Sequence, residues 1–163
     1  ILVIGETKPE FGGSELQNVL EGKYFAQSPE VDLEVERKRG DALLEAIQQG
    51  LVQSAHDISE GGFAVALSET LFNQATLGAT VDLEGDATAL LFSETQSRYV
   101  ISVKPEDVDR VTALMPDAKV VGTVTDDKKL VINVSGETVI EESLQTLEDL
   151  WKGAIPCLLK SKA

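Results

Sequence analysis

The chain has 163 residues, 42% of them hydrophobic, which is enough to bury one sizeable core; a single domain over 1–163 is the expectation. With 28 acidic against 14 basic residues, a formal charge of -14 opposes attraction to a phosphate backbone or an anionic lipid surface, so neither nucleic acid nor a membrane is an expected partner. A bound magnesium ion can still bridge protein carboxylates to phosphate oxygens, so this acidity is compatible with a nucleotide. The lone Cys157 excludes an intramolecular disulfide framework, and a reducing, cytoplasmic setting is expected. The opening ILVIGET carries no methionine and reads as a strand already under way, so the chain is expected to be a fragment of a longer multidomain protein.

In chain order, the apolar run Ile1 to Gly5 predicts a buried strand. Glu6 to Glu30 is polar and punctuated by glycine and proline; it predicts loop, with Ser14 capping a short helix through Leu20. From Asp32 to Gly50 the spacing turns helical, with Asp32 as cap, Leu33, Leu43, Leu44 and Ile47 as the buried stripe, and Gly40 as a point of breakage. Leu51 to Asp57 predicts a turn into a short strand, Gly61 and Gly62 a turn, and Phe63 to Phe72 a helix. Ala79, Val81 and Leu83 alternate with Thr80 and Asp82 as in a half-buried strand, and Tyr99 to Val103 is a β-branched core strand. Pro105 opens a short helix carried by Val108, Val111 and Leu114. Lys119 to Val124, Leu130 to Val134 and Glu137 to Ile140 predict an antiparallel meander. Glu141 to Trp151 then resumes helical spacing until Gly153 and Pro156 break it, and Trp151, Ile155 and Leu158 either pack the tail onto the body or, in a fragment, cover a former interdomain surface. The fold class expected is α/β (α+β), a mixed sheet with packed helices.

Two polar knots carry the chemistry. In AHDISEGGFAVALSE, Ala55 to Glu69, a strand runs through a glycine pair into a helix; such a turn aims backbone N–H groups and the positive helix end at an anion. Ser59 can add a hydroxyl and Asp57 a metal ligand, which suits a magnesium nucleotide. The plain alternative is a turn alone, capped by Asp57 or Ser59, with His56 a hydrogen-bonded structural residue. In FSETQSR, Phe92 to Arg98, hydrogen-bonding side chains gather at the entrance to a core strand, where ligand sites of α/β sheets tend to lie. A capped turn with a surface salt bridge fits it equally well.

These blocks, with FGGSELQ ahead of them and LEDLWKGAIP behind, resemble the C-terminal domain of the aminoimidazole ribonucleotide synthetase superfamily, related to the ferredoxin-like arrangement. Within it the wording is closest to the last domain of phosphoribosylformylglycinamidine synthases of the bacterial small-subunit type. The resemblance implies part of an ATP-dependent C–N ligase of purine biosynthesis. That ligase converts formylglycinamide ribonucleotide to formylglycinamidine ribonucleotide, with ammonia from a glutaminase subunit and a small accessory subunit in the complex. It implies no catalytic residue here and an inactive fragment, with the principal ligands in absent domains. Asp57 would hold magnesium, and Ser59, Gly61 and Gly62 an auxiliary ATP or ADP. Ser93, Glu94, Gln96 and Arg98 correspond to a segment that touches substrate in the first half of such enzymes. Glu60 stands where an aspartate is common and keeps the charge. Another superfamily member, such as the ring-closing synthetase or a related kinase, and a purely structural module are the alternatives.

Overall fold

The computed structural model describes residues 1–74 and 76–160, the last six without their side chains. Among the described residues, eight strands divide between two four-stranded sheets, accompanied by six α-helices and one 3-10 turn. The first sheet has the order β2 (Val52–Asp57), β4 (Tyr99–Val103), β1 (Leu2–Ile4), β5 (Ala118–Val120), antiparallel throughout. The second has the order β6 (Gly122–Thr125), β3 (Gly78–Leu83), β7 (Lys129–Val134), β8 (Glu137–Ser143), with β3 and β7 parallel. The α/β class holds, with the strands shared between two sheets.

The period-two rule explains how one short strand serves two cores. Leu2 and Ile4 of β1 and Ile101 of β4 face a cluster with Leu43 and Ala46 of α2 (Leu33–Gln48) and Val111 of α5 (Val108–Leu114). Ile1 and Val100 point the other way. They join Phe63, Ala64 and Leu67 of α3 (Gly62–Leu71), Leu91 of α4 (Ala87–Phe92), and Ala79, Val81, Leu130 and Ile132 of the second sheet. Thus α3 lies between the sheets, and Phe63, 1% exposed, contributes roughly 2–3 kcal/mol of burial there.

Several expectations give way to packing. The α2 helix is capped by Asp32, whose carboxylate accepts from Glu34 and Val35, but it runs unbroken through Gly40, and Leu33, Leu44 and Ile47 stay exposed. Leu43 and Ala46 are its buried residues, because the helix meets the first sheet along one narrow line. The predicted run Lys119 to Val124 is split at Val121, whose N–H donates to Ile1 and whose carbonyl accepts from Asp82, one bond to each sheet. Gly122 lets β6 lie against Val81, where a Cβ would stand 2.7 Å from the Val81 Cα. β3 therefore separates β6 from β7, and only β7 and β8 form the predicted hairpin. Glu141 to Ser143 end β8 before the last helix, α6 (Leu144–Lys160), which continues past Gly153 and Pro156. Tertiary anchoring outweighs local propensity there: the Trp151 ring lies 5.6 Å from Phe72, and its Nε1 donates to Glu69 at 2.9 Å. The side chains of Ile155 and Leu158 lie outside the described residues. Among the described residues no helix is long and apolar enough to cross a membrane.

Candidate functional site

The antiparallel pairing of β2 with β4 sets Asp57 opposite Tyr99, so the start of the first polar knot meets the end of the second. The Ile58 amide donates to the Arg98 carbonyl at 2.9 Å and continues that register past the strands. The result is a depression of roughly 250 Å³ lined by Asp57, Ser59, Gln96 and Arg98, with Glu36 and Tyr99 behind them. Asp57 and Ser59 are exposed at it, and Gln96 is exposed with its amide tied to the Glu94 carbonyl at 2.9 Å. A larger hollow of about 680 Å³ shares Val31, Gln96 and Ser97 with it and reaches Lys8 and Arg39.

The glycine turn has a different geometry from an open cradle. Gly61 and Gly62 take φ of +81° and +73°, a region glycine enters without the clash a Cβ brings. Gly61 is the N-cap of α3, without a side-chain cap from Asp57 or Ser59. Its N–H donates at 2.8 Å to Glu94 Oε1, which also accepts from Glu15 at the start of α1 (Glu15–Glu21), again at 2.8 Å. Glu94 is buried, and it places a carboxylate at two helix N-termini at once, the position dipoles and unpaired N–H groups favour for an anion. Gly62 donates to the Ser59 carbonyl, and a Cβ there would sit 2.7 Å from the Leu91 carbonyl oxygen. The space its missing side chain leaves is filled by the end of α4.

The second knot is stitched inward. Ser93 Oγ donates to the Lys8 carbonyl at 2.5 Å, the Lys8 amide donates to Thr95 Oγ1, and Arg98 donates from Nη1 to the Ser93 carbonyl at 3.2 Å. Burial and the nearby Arg39 charge bring the Arg98 pKa down to about 10. The Tyr99 hydroxyl donates to Glu36 at 2.8 Å, and burial together with that bond raises it to about 12. His56 lies outside the depression: Nε2 stands 3.5 Å from Glu69, the carboxylate that also takes the Trp151 N–H. Sequence spacing did not single out Glu36 or Arg39, which the fold brings to the site from α2; no signal shorter than tertiary contact links them to it.

Residues 1–135 match the family model described as AIR synthase related protein, C-terminal domain. The chain belongs to that family. Among solved structures, Thermotoga maritima PurL complexed with FGAR is similar with a TM-score of 0.77 at 22% identity, over 90% of this chain and 27% of that one. Thermotoga maritima PurL complexed with ATP gives 0.71 at 24% identity, over 90% and 25%. A HypE–HypF complex gives 0.58 at 17% identity, over 87% and 52%. The fold is that of these proteins, and the chain spans about a quarter of the length of the PurL chains.

Proposed function

We propose that this chain is a C-terminal domain of an ATP-dependent ligase that turns formylglycinamide ribonucleotide into formylglycinamidine ribonucleotide in purine biosynthesis. It works in the cytoplasm with the enzyme's other domains, a glutaminase subunit and a small accessory subunit. Family membership and the likeness to PurL in fold support this reading. The observation that carries a ligand role is the meeting of Asp57 and Ser59 with Gln96 and Arg98 in one depression.

In this reading Asp57, with Glu36 beside it, offers the one or two carboxylates that magnesium takes when phosphates supply the rest of its ligands. Bound there, the ion would neutralise phosphate charge beside an acidic wall. Ser59 donates to the same group, Gln96 and Arg98 read its other side, and Ser93 and Glu94 frame the loop that holds them. Gly61 and Gly62 shape the turn that presents Ser59. The depression suits a phosphate end, with the adjoining hollow for the remainder of a ribonucleotide. Without the other domains, the chain is expected to bind and not to catalyse.

A scaffold role has its own support, since the Gly61 N–H is satisfied by Glu94 and Gly62 is packed against α4. Calorimetric titration with magnesium-ADP, on this chain and on the longer enzyme that contains it, decides between them. Asp57→Ala should weaken binding by about 10-fold or more, the loss of one charged ligand. Equal nucleotide retention, folding and activity in the variant would leave the scaffold.

A further inference from the structure

Helix α1 has its polarity reversed. None of its seven residues is buried, yet Glu15, Gln17 and Asn18 are half-buried while Val19 and Leu20 are 76% and 71% exposed. A surface helix ordinarily turns its apolar stripe to the core and its polar residues to water. In the loop that follows, Tyr24 and Phe25 are 56% and 46% exposed as well.

The polar side chains explain why the apolar ones stay outside. Gln17 Oε1 accepts from the Phe25 amide at 2.8 Å and from the Gly13 amide at 3.1 Å, and the Gly13 amide also reaches the Phe25 carbonyl at 3.0 Å. Asn18 donates to the Tyr24 hydroxyl at 3.0 Å, which in turn donates to Glu15 at 2.5 Å. A Cβ on Gly12 would stand 1.9 Å from the Gln27 carbonyl oxygen, so the returning loop is pressed against the approach to the helix. Glu94, which accepts from Glu15 and from Gly61, ties the start of α1 to α3. The four apolar side chains are thus held outward on a fastened frame, and nothing among the described residues covers them.

We propose that Val19, Leu20, Tyr24 and Phe25 form the surface on which another domain of the same longer polypeptide docks. This rests on reading the chain as one domain of a longer enzyme and adds where a neighbouring domain is held. The four side chains expose on the order of 400 Å² of apolar surface, about half of the roughly 800 Å² per partner that a free-standing complex buries. Such an area is small for two separate molecules. It serves two domains of one chain, because the linker keeps the partner at a high effective concentration. A charge of -14 on each copy opposes pairing of two copies, and opposes an anionic membrane surface equally. The similar PurL chains extend for about three-quarters of their length beyond the part matched by this chain, and that remainder is the source of the occupant. The bond to Glu15 raises the Tyr24 pKa, and the charges of Glu60 and Glu94 add to it, so the facing patch is apolar with a basic margin.

Hydroxyl-radical footprinting compares this chain with the longer enzyme that contains it. Tyr24 and Phe25 should be labelled severalfold less in the longer protein. The double substitution Val19→Gln, Leu20→Gln should leave the melting temperature of this chain unchanged, because both side chains are exposed in it, and should return the labelling in the longer protein to the level of this chain. Equal labelling of the two parent proteins overturns the proposal. A fall in the melting temperature of the doubly substituted chain also overturns it, since the two side chains would then belong to this domain's own packing. If this chain sediments as a dimer and its Tyr24 labelling falls with concentration, the face belongs to a second copy and the domain assignment is overturned. Protection of the longer enzyme that arises only on adding the glutaminase subunit overturns it in the same way. A longer protein that protects both aromatic rings but does not convert formylglycinamide ribonucleotide upholds the surface and removes the ligase reading alone.

Discussion

Glu94 Oε1 stands 2.8 Å from the Gly61 amide nitrogen and the same distance from that of Glu15, so one buried carboxylate closes the N-termini of α3 and α1. Removing it strands two N–H groups. Glu94→Ala should cost about 2–3 kcal/mol, and Glu94→Gln, which keeps an acceptor without the charge, about 1 kcal/mol. Urea unfolding midpoints measure both; an alanine variant as stable as the parent would show that water replaces the carboxylate freely.

Gly62 and Gly50 share a φ of +73° and differ in surroundings. Nothing stands within 4 Å of a Cβ at Gly50, whereas at Gly62 it would meet the Leu91 and Phe92 backbone at 2.7–2.8 Å. Gly50→Ala should therefore cost only the left-handed penalty, about 1–2 kcal/mol. Gly62→Ala adds overpacking against a helix end that cannot yield, for a total of about 3–4 kcal/mol or failure to fold. Equal melting temperatures for the two variants would contradict the α3–α4 contact.

That contrast marks what was legible in the sequence. Local signals were readable: Ser14 and Asp32 do cap their helices, the β3 alternation is real, the first polar knot leaves the end of a strand for a helix, and the second ends where a strand begins. That the two knots meet depends on β2 pairing with β4, some forty residues apart along the chain, and spacing carries no trace of that register. The anion-facing turn looked open because its closing carboxylate, Glu94, belongs to the other knot. The run through Val121 looked like one strand because its apolar pattern is continuous. Only the bonds to Ile1 and Asp82 divide it.

Arg98 carries its cost at neutral pH. Its folded pKa of about 10 lies below the ordinary arginine value, so the native state binds its proton less tightly than the unfolded chain. The penalty is fully present below pH 10 and fades as pH rises above it. Arg98→Met should thus be as stable as the parent or more so at pH 7, the usual sign of a group kept for binding. A large loss of stability would instead make Arg98 a structural strut.

Trp151 is the only tryptophan, so its emission reports the docking of α6 on α3. Its Nε1 bond to Glu69 and its tilted ring contact with Phe72 are the two links that hold it. Glu69→Ala removes the acceptor and should red-shift the emission, with about 1 kcal/mol lost; Glu69→Gln keeps an acceptor and should stay near the parent spectrum. Identical spectra in all three proteins would mean that the indole is not held there.

Tyr99 supplies an alkaline test with a definite sign. Burial and its bond to Glu36 raise its pKa to about 12, and Tyr24, bonded to Glu15, is raised as well. These are the chain's two tyrosines, so tyrosinate absorbance of the folded protein should be late, with little ionisation at the ordinary value near 10. Between pH 10 and 12 the native state keeps the Tyr99 proton and the unfolded chain releases it, so this group's contribution to stability is whole below pH 10 and lost toward 12. Arg98 pulls the opposite way in the same window, which makes the single variants informative. Tyr99→Phe should delete the absorbance step near 12 and flatten the alkaline fall in stability, at a cost of about 1 kcal/mol at neutral pH for the lost bond to Glu36. An absorbance step at the ordinary tyrosine pKa that vanishes in Tyr99→Phe would place the hydroxyl in water and dissolve the wall it forms behind Asp57.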